Sequence, residues 1–436
     1  MWANASVFYQ IYPLGFCGAP AQQDGQVTPR IRKVLDWIPH LTRLHCDAVY
    51  FCPVFQSDAH GYDTQDFRVI DPRLGTKEDF AQVCHALHDA GIRVVLDGVF
   101  NHVGRGFWAF QDVLTRREQS PYQDWFFLNL GGNNGYNDGL WYEGWEGHEE
   151  LVKLNLRNGE AVHHLLDCVR GWIADFDIDG LRLDVAYSLD LDFMRQLRSA
   201  CDGCKPDFFL VGEMLHGDYN RLLGEGLLDS VTNYECYKGL HSSFNSMNLF
   251  EITHSLLRQF GSEPWTLYKG QHLLCFADNH DVTRIASLLQ NPRHLPLLYA
   301  LLFAMPGIPC LYYGSEWGVA GVKQSGSDAS LRPCLESPVW NDLSEWVARC
   351  AQAHRQHPAL WDGSFRSVLL TNGQAIWERR SGNERILIAI NATDAPYTAH
   401  FDAQAGRALD LLTGQPHDFG GGSVLPPYHV AYWLVQ

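Results

Sequence analysis

The stretch GLRLDVAYS, residues 180–188, puts an arginine and an aspartate inside an apolar run. Read as a strand, it places Arg182 and Asp184 on one face, because strand side chains alternate with period two. A buried carboxylate without a partner is costly and tends to protonate. An adjacent guanidinium is expected to hold Asp184 ionised. A lone arginine–aspartate pair is as readily structural, so its meaning depends on what surrounds it.

Outward from this stretch, short apolar runs alternate with amphipathic ones. Residues 7–13, 48–54, 93–100, 180–185, 207–213, 229–234, 272–278 and 308–314 read as strands. Residues 31–44, 76–92, 158–175, 191–201, 247–260, 296–305 and 341–356 read as helices, the second with a threonine cap and a glycine stop. Eight buried strands interleaved with helices predict an α/β fold, a closed (β/α)8 TIM barrel. An excursion follows the third strand. It is rich in Gly, Asn, Trp and Tyr, as in LGGNNGYNDGLWYEGWEGHEE, and lies on the face where such barrels build active sites. From about residue 363 short strands with turn signals predict an antiparallel β domain. The expected division is a barrel over 1–102 and 158–356, an inserted domain over 103–157, and a C-terminal β-sandwich over 357–436.

Composition narrows the function. The chain has 436 residues, is 46% hydrophobic and 19% charged, and carries a net charge of -17. That acidity argues against a nucleic-acid partner. No run approaches a membrane helix in length, and MWANASVFYQIYP has neither the basic nor the apolar region of a signal peptide. Twelve scattered cysteines fit reduced thiols and a cytoplasmic location. The pair Cys201 and Cys204 has no second pair at zinc-site spacing.

The carboxyl ends of the strands hold the chemistry. The third ends in DGVFNH, with Asp97, Asn101 and His102; the fourth carries Arg182 and Asp184. The fifth ends in VGEMLH, with Glu213, and the seventh runs into FADNHD, with Asp278, Asn279, His280 and Asp281. Each acid alone reads as well as a cap or turn residue. Together, in barrel order, they predict one polar pocket in which two acids serve as nucleophile and general acid, the equipment of glycoside hydrolysis.

With these motifs in place, the chain resembles the α-amylase family, glycoside hydrolase family 13. DGVFNH, GLRLDVA, VGEMLH and FADNHD are similar to its four conserved regions. LVKLN (151–155) is similar to the fifth, GYDTQDF (61–67) to its sugar-stacking tyrosine segment, and PGIPCLYYGSEWG (306–318) to its eighth strand. The resemblance runs over about residues 5–435. It implies Asp184 as nucleophile, Glu213 as general acid/base and Asp281 as the acid that grips the 2- and 3-hydroxyls. It implies Arg182 as support for the nucleophile, His102 and His280 as sugar ligands at subsite −1, and Tyr62 beneath the sugar with His60 beside it. Asp97 would be structural or electrostatic support, and the mechanism retaining.

Within the family, GLRLDVA followed by DFMRQLR is most similar to the neopullulanase and cyclomaltodextrinase group. Two features depart from it: no N-terminal β domain precedes the first strand, and Leu-Val replaces Met-Pro before Lys-Leu-Asn. Typical α-amylases carry Lys-His after the nucleophile, where Ala186 and Tyr187 stand here. No essential cofactor or metal is expected. Calcium is the one metal the resemblance admits, through Asn101 and the loop NNGYND. The expected partner is a malto-oligosaccharide or cyclodextrin substrate, with no nucleic acid or membrane; monomer and homodimer both stay open.

The leading reading is therefore a hydrolase of α-1,4-glucosidic bonds, with α-1,6 bonds open, in short or cyclic malto-oligosaccharides. Its rivals are a transglycosylase or glucan isomerase on the same scaffold, a non-catalytic sugar-binding barrel, and a metal-dependent barrel hydrolase. Trp108, Trp125, Phe126, Trp141, Tyr142 and Trp145 are expected to wall in one end of the cleft, or else to pack the excursion's own core.

Overall fold

The computed structural model describes residues 1–436. Eight parallel strands form the barrel: β1 Phe8–Ile11, β2 Ala48–Phe51, β3 Arg93–Gly98, β4 Gly180–Leu183, β5 Phe209–Gly212, β6 Ser230–Val231, β7 Leu274–Phe276 and β8 Ile308–Tyr312. Neighbours pair in sequence order, and β8 returns to β1. The seam between β6 and β7 is closed by a parallel bridge from Thr232 to Leu274, where the Asn233 N–H donates to the Leu274 carbonyl at 2.8 Å. All four residues of β1, β2 and β4 are buried. Apolar runs are what a strand covered on both faces requires.

The helices α1 Lys33–Arg43, α2 Lys77–Asp89, α3 Gly159–Phe176, α4 Leu191–Cys204, α5 Tyr234–Asn245, α6 Phe250–Phe260, α7 His294–Ala304 and α8 Asp342–Gln356 accompany the strands. Their starts follow capping chemistry. Thr76 and Asp79 form a reciprocal capping box, and Asn158 and Asp190 each accept two backbone N–H groups. No helix is long and apolar enough to cross a membrane.

Two elements differ from the sequence reading. The sixth strand is only Ser230–Val231, because the Asn233 side chain turns to cap a further helix, α5. That helix has no strong apolar stripe to announce it. Its Gly239 lies against Ile252 of α6, where a β-carbon would already stand at 3.4 Å from the neighbour. The short helix Pro358–Trp361 also follows α8.

The excursion contains the helix Trp108–Arg116 and a three-stranded sheet of His102–Gly104, His148–Lys153 and Gly144–Trp145. The C-terminal region is a six-stranded antiparallel sheet with a two-stranded pair. Two of its short strands, Pro416–Asp418 and Ser423–Leu425, fall in Gly-, Pro- and His-containing sequence that gives no alternation to read. The sheet docks on the helices. Trp377 Nε1 donates to Thr253 Oγ1 at 3.1 Å, and Arg379 Nη1 to the Ala304 carbonyl at 2.5 Å.

Candidate active site

Arg182 occupies the centre of the barrel mouth. Its Nη1 lies 2.9 and 3.0 Å from the two carboxylate oxygens of Asp97 and 2.8 Å from Asp184 Oδ1. Its Nη2 lies 2.8 Å from Glu213 Oε1. The register explains the cluster: in the parallel ladder Arg182 stands opposite Asp97 on β3 and Val211 on β5. Asp184 and Glu213 then follow at the ends of β4 and β5. All four side chains are buried.

Arg182, expected as the support of Asp184, serves two further acids as well. Three carboxylates share one guanidinium. Burial pushes the Asp184 carboxyl well above the usual carboxylate range; Arg182 opposes the rise, while Glu213 and Asp97 add to it. Arg182 itself stays charged, its burial outweighed by Asp97 and Glu213. One positive charge thus faces three acids in a buried site, and Asp184 bears the cost of that imbalance.

The backbone beside Asp184 is tight. Val185 has φ 40, a conformation that a β-branched residue adopts at a cost. The turn points its N–H at Glu213 Oε2, 3.0 Å away. The turn thus joins the two acids through one peptide group as well as through Arg182.

Asp281 lies in an opposite environment. Its Oδ1 is 2.9 Å from Arg332 Nη2 and its Oδ2 is 3.0 Å from His280 Nε2. Burial would raise its pKa, but His280 and Arg332 outweigh that and lower it far below the usual range. Burial in turn disfavours the charged form of His280, yet Asp281 outweighs it and raises the imidazole to about 10. Asp281 is also the most open of the three acids, with 34% of its side chain exposed against 9% for Asp184 and 7% for Glu213.

Between the two clusters lies Tyr62. Its ring stacks on His280 at 5.4 Å and 6°. Its hydroxyl donates to Asp97 Oδ2 at 3.0 Å and lies 2.5 Å from His280 Nε2. Asp97 also accepts from Tyr50 Oη at 2.9 Å, so it works as a buried bracket. His102 is buried; its Nδ1 lies 3.1 Å from the Asn101 amide and its Nε2 has no hydrogen-bond partner. Burial lowers it to about 3, so it is neutral, and Nε2 stands 3.9 Å from Asp184 Oδ2. His60 is at the rim, with 40% of its side chain exposed, and its carbonyl accepts from Tyr12 Oη.

The structure therefore brings Asp97, Arg182, Asp184, Glu213, Tyr62, His102, His280 and Asp281 into one pocket, with His60 at its edge. Asp278 is outside it, accepting from Ser315 Oγ and the Ile285 N–H. Sequence reasoning missed Arg332, whose guanidinium also lies 4.5 Å from the Tyr12 ring, and Gln10, whose amide lies 2.8 Å from His280 Nδ1. Nothing local marks either residue, since each meets the site only through barrel closure.

The aromatic wall is mostly the excursion's own core. Trp125, Phe126 and Tyr142 are buried. Trp108 packs edge-on against Tyr122 and Trp125, and Trp141 faces solvent. Of the six, Trp145 is the one whose ring meets a pocket residue, His102, at 5.6 Å.

The acids beside the candidate calcium ligands already have partners. In NNGYND, Asp138 pairs with Arg105 and Asn134, and Asn133 Nδ2 donates to Asn137. The cavity of about 650 Å³ that Asn101 lines holds two further acids, both paired: Asp190 with Arg157 at 3.2 Å and Asp192 with Arg195 at 2.6 Å. Arginines already neutralise the acids a hard cation would need.

The comparisons with known proteins agree with this geometry. The family description "Alpha amylase, catalytic domain" matches residues 10–378. The chain is 29% identical to a cyclomaltodextrinase of Geobacillus thermopakistaniensis, over 100% of this chain and 78% of that protein. It is 30% identical to a maltogenic alpha-amylase of Bacillus acidopullulyticus, over 92% and 72%. Among solved structures, the ligand-free cyclic alpha-maltosyl-(1→6)-maltose hydrolase of Arthrobacter globiformis superposes with a TM-score of 0.84 at 28% identity, covering 100% of both chains. The chain belongs to the α-amylase family of glycoside hydrolases.

Proposed function

We propose that the protein hydrolyses α-1,4-glucosidic bonds in short or cyclic malto-oligosaccharides, with α-1,6 bonds as a second target, and keeps the anomeric configuration through a covalent glycosyl-enzyme. The observation that carries this reading is Arg182. Its two terminal nitrogens hold Asp184 and Glu213 side by side, and retaining chemistry needs two carboxyl groups about 5–5.5 Å apart.

Asp184 attacks C1 of the sugar. Glu213 protonates the departing oxygen and then takes a proton from the incoming water. Two carboxyl groups held on one guanidinium suit this division of labour, one acting as acid and its neighbour as nucleophile. Asp281, fixed as an anion by His280 and Arg332, accepts from the 2- and 3-hydroxyls. The unpaired Nε2 of neutral His102 donates to the same sugar as His280 does. Tyr62 lies beneath the ring, His60 at the rim, and Asp97 holds Arg182 and Tyr62 in place.

The substrate class rests on the names of the relatives, which act on cyclodextrins, on cyclic maltosyl-maltose and in maltogenic fashion. Twelve free thiols, ten of them buried, suit a reducing compartment and support a cytoplasmic location. The test is the product profile on maltotriose, a cyclodextrin, pullulan and amylose, with proton NMR of fresh product. Preference for the small substrates and early α-anomer support the reading. Early β-anomer, or random internal cleavage of amylose as the preferred reaction, would overturn it.

A further inference from the structure

Buried polar atoms in a folded chain are nearly all partnered, so an orphan beside a reaction centre calls for a ligand. Two neighbouring rings here carry one each: His102 Nε2 and Trp145 Nε1. Their rings are 5.6 Å apart at 35°. One small sheet carries both, since His148–Lys153 pairs with the strand of His102 on one edge and with Gly144–Trp145 on the other. Two other indoles, Trp37 and Trp125, also lack a partner. Trp37 is enclosed against Phe16 in the core, and Trp125 against Trp108 and Tyr122. Trp145 alone of the three touches the pocket.

The residues after Trp145 reach across the cleft. Glu146 has φ 48 and Gly147 φ 87, a tight turn in which the glutamate bears a left-handed conformation. Tyr187 Oη donates to Glu146 Oε1 at 3.3 Å. Tyr187 stands three residues after Asp184, and its ring lies 5.9 Å from that of His216, three residues after Glu213. Burial lifts the Tyr187 phenol, with the Glu146, Glu213 and Asp184 carboxylates adding to the rise, so its hydroxyl remains a donor.

These contacts fix a direction. His280, Asp281 and Arg332 come from the β7–β8 side, and Tyr62, from the segment after β2, stacks on His280; on the proposed function these hold the sugar that reacts at C1. The departing sugar must then lie beyond Glu213, toward the ends of β4 and β5. Trp145 touches His102 on one side and is followed in the chain by the Glu146–Tyr187 contact on the other, which on the proposed function sets it at the boundary between the two sugars.

We propose that Trp145 is a specificity-determining residue: its indole N–H donates to a hydroxyl of the glucose unit on the leaving-group side, and the Glu146–Tyr187 hydrogen bond fastens the turn that aims it. Tyr187 is thus a positioning residue acting through the turn. The inference rests on the function proposed above and adds to it the group that recognises the departing sugar.

The test uses Trp145→Phe, which keeps an aromatic ring and removes the N–H, on two substrates. Maltotriose has a glucose leaving group; α-maltosyl fluoride has none. The loss of kcat/KM on maltotriose should exceed that on the fluoride by about tenfold, the ratio a lost hydrogen bond of ordinary strength produces. Tyr187→Phe should show the same substrate dependence more weakly, and in KM rather than kcat. Equal losses on both substrates, or no loss on maltotriose, would overturn the inference while the parent enzyme's turnover of both upholds the function. A parent enzyme that turns over neither would overturn the function and this inference with it.

Discussion

The two halves of the pocket use the same side chains in opposite proportion. Around β3 to β5, three carboxylates share one arginine, and burial drives Asp184 upward. Around β7 and β8, a single carboxylate has both an arginine and an imidazole, and Asp281 is driven far down. Both groups are aspartates one to a few residues past a strand. The ratio of acids to cations, not the residue type or its place on a strand, decides which aspartate is driven up and which down. On the proposed mechanism the first half carries the proton transfer, and the second holds a fixed negative charge against the sugar.

The comparison breaks most visibly at Asp184. Asp184→Asn should lower kcat by about 10⁴ or more while the protein stays folded, as for other groups that form covalent intermediates. Activity that survives at more than a small fraction would remove Asp184 from the nucleophile's role. Glu213→Gln should be nearly inactive on maltotriose but recover its first step on α-maltosyl fluoride, which needs no protonation. Equal loss on both would contradict the assignment of the acid.

Arg182→Gln probes the balance itself. It leaves Asp97, Asp184 and Glu213 buried without a cation, a change that costs on the order of 3–5 kcal/mol when a buried pair is broken. Thermal unfolding should show a marked fall in Tm that shrinks as pH is lowered and the acids protonate. A Tm unchanged at neutral pH would mean that the three acids do not depend on the guanidinium.

The other half predicts a pH dependence of smaller size. His280 is raised from 6.5 to about 10. A group raised on folding gives stability that is complete below its unfolded pKa and is lost as pH rises through the folded one. Tm should therefore decline between about pH 6.5 and 10, and His280→Gln should flatten that decline. A variant with the same slope as the parent would show that the ring is not charged.

The smallest expected effect is that of a chelator. Because Arg105, Arg157 and Arg195 pair the excursion-side acids, EDTA should move neither Tm nor kcat. A fall reversed by added calcium would contradict that pairing.

How much of this was legible in the sequence follows the same division. The β3–β5 half could be read because its parts are local: Arg182 and Asp184 are two residues apart on one strand, and Glu213 ends the next. What could not be read was the sharing, which depends on the parallel register that sets Asp97 opposite Arg182. The β7–β8 half was legible only as His280 and Asp281. Its second cation, Arg332, is 51 residues from Asp281 and sits in a loop with no periodicity to read. The excursion stayed undecided for a different reason. Its aromatics fit a cleft wall and a small core equally well by composition, and only the packing shows that most of them face one another. Helix α5 stayed hidden because Gly239 and Ser243 stand where apolar side chains would have marked its inner face.

The most direct test of the account is to trap the glycosyl-enzyme. A 5-fluoro-α-glycosyl fluoride slows the second step and lets the intermediate accumulate when a carboxylate attacks C1. Peptide mass spectrometry of the trapped enzyme should find the added sugar on Asp184, in the peptide containing GLRLDVAYS. An adduct on Glu213 or Asp281, or steady turnover with no adduct at any carboxylate, would contradict the roles assigned to the two halves of the pocket.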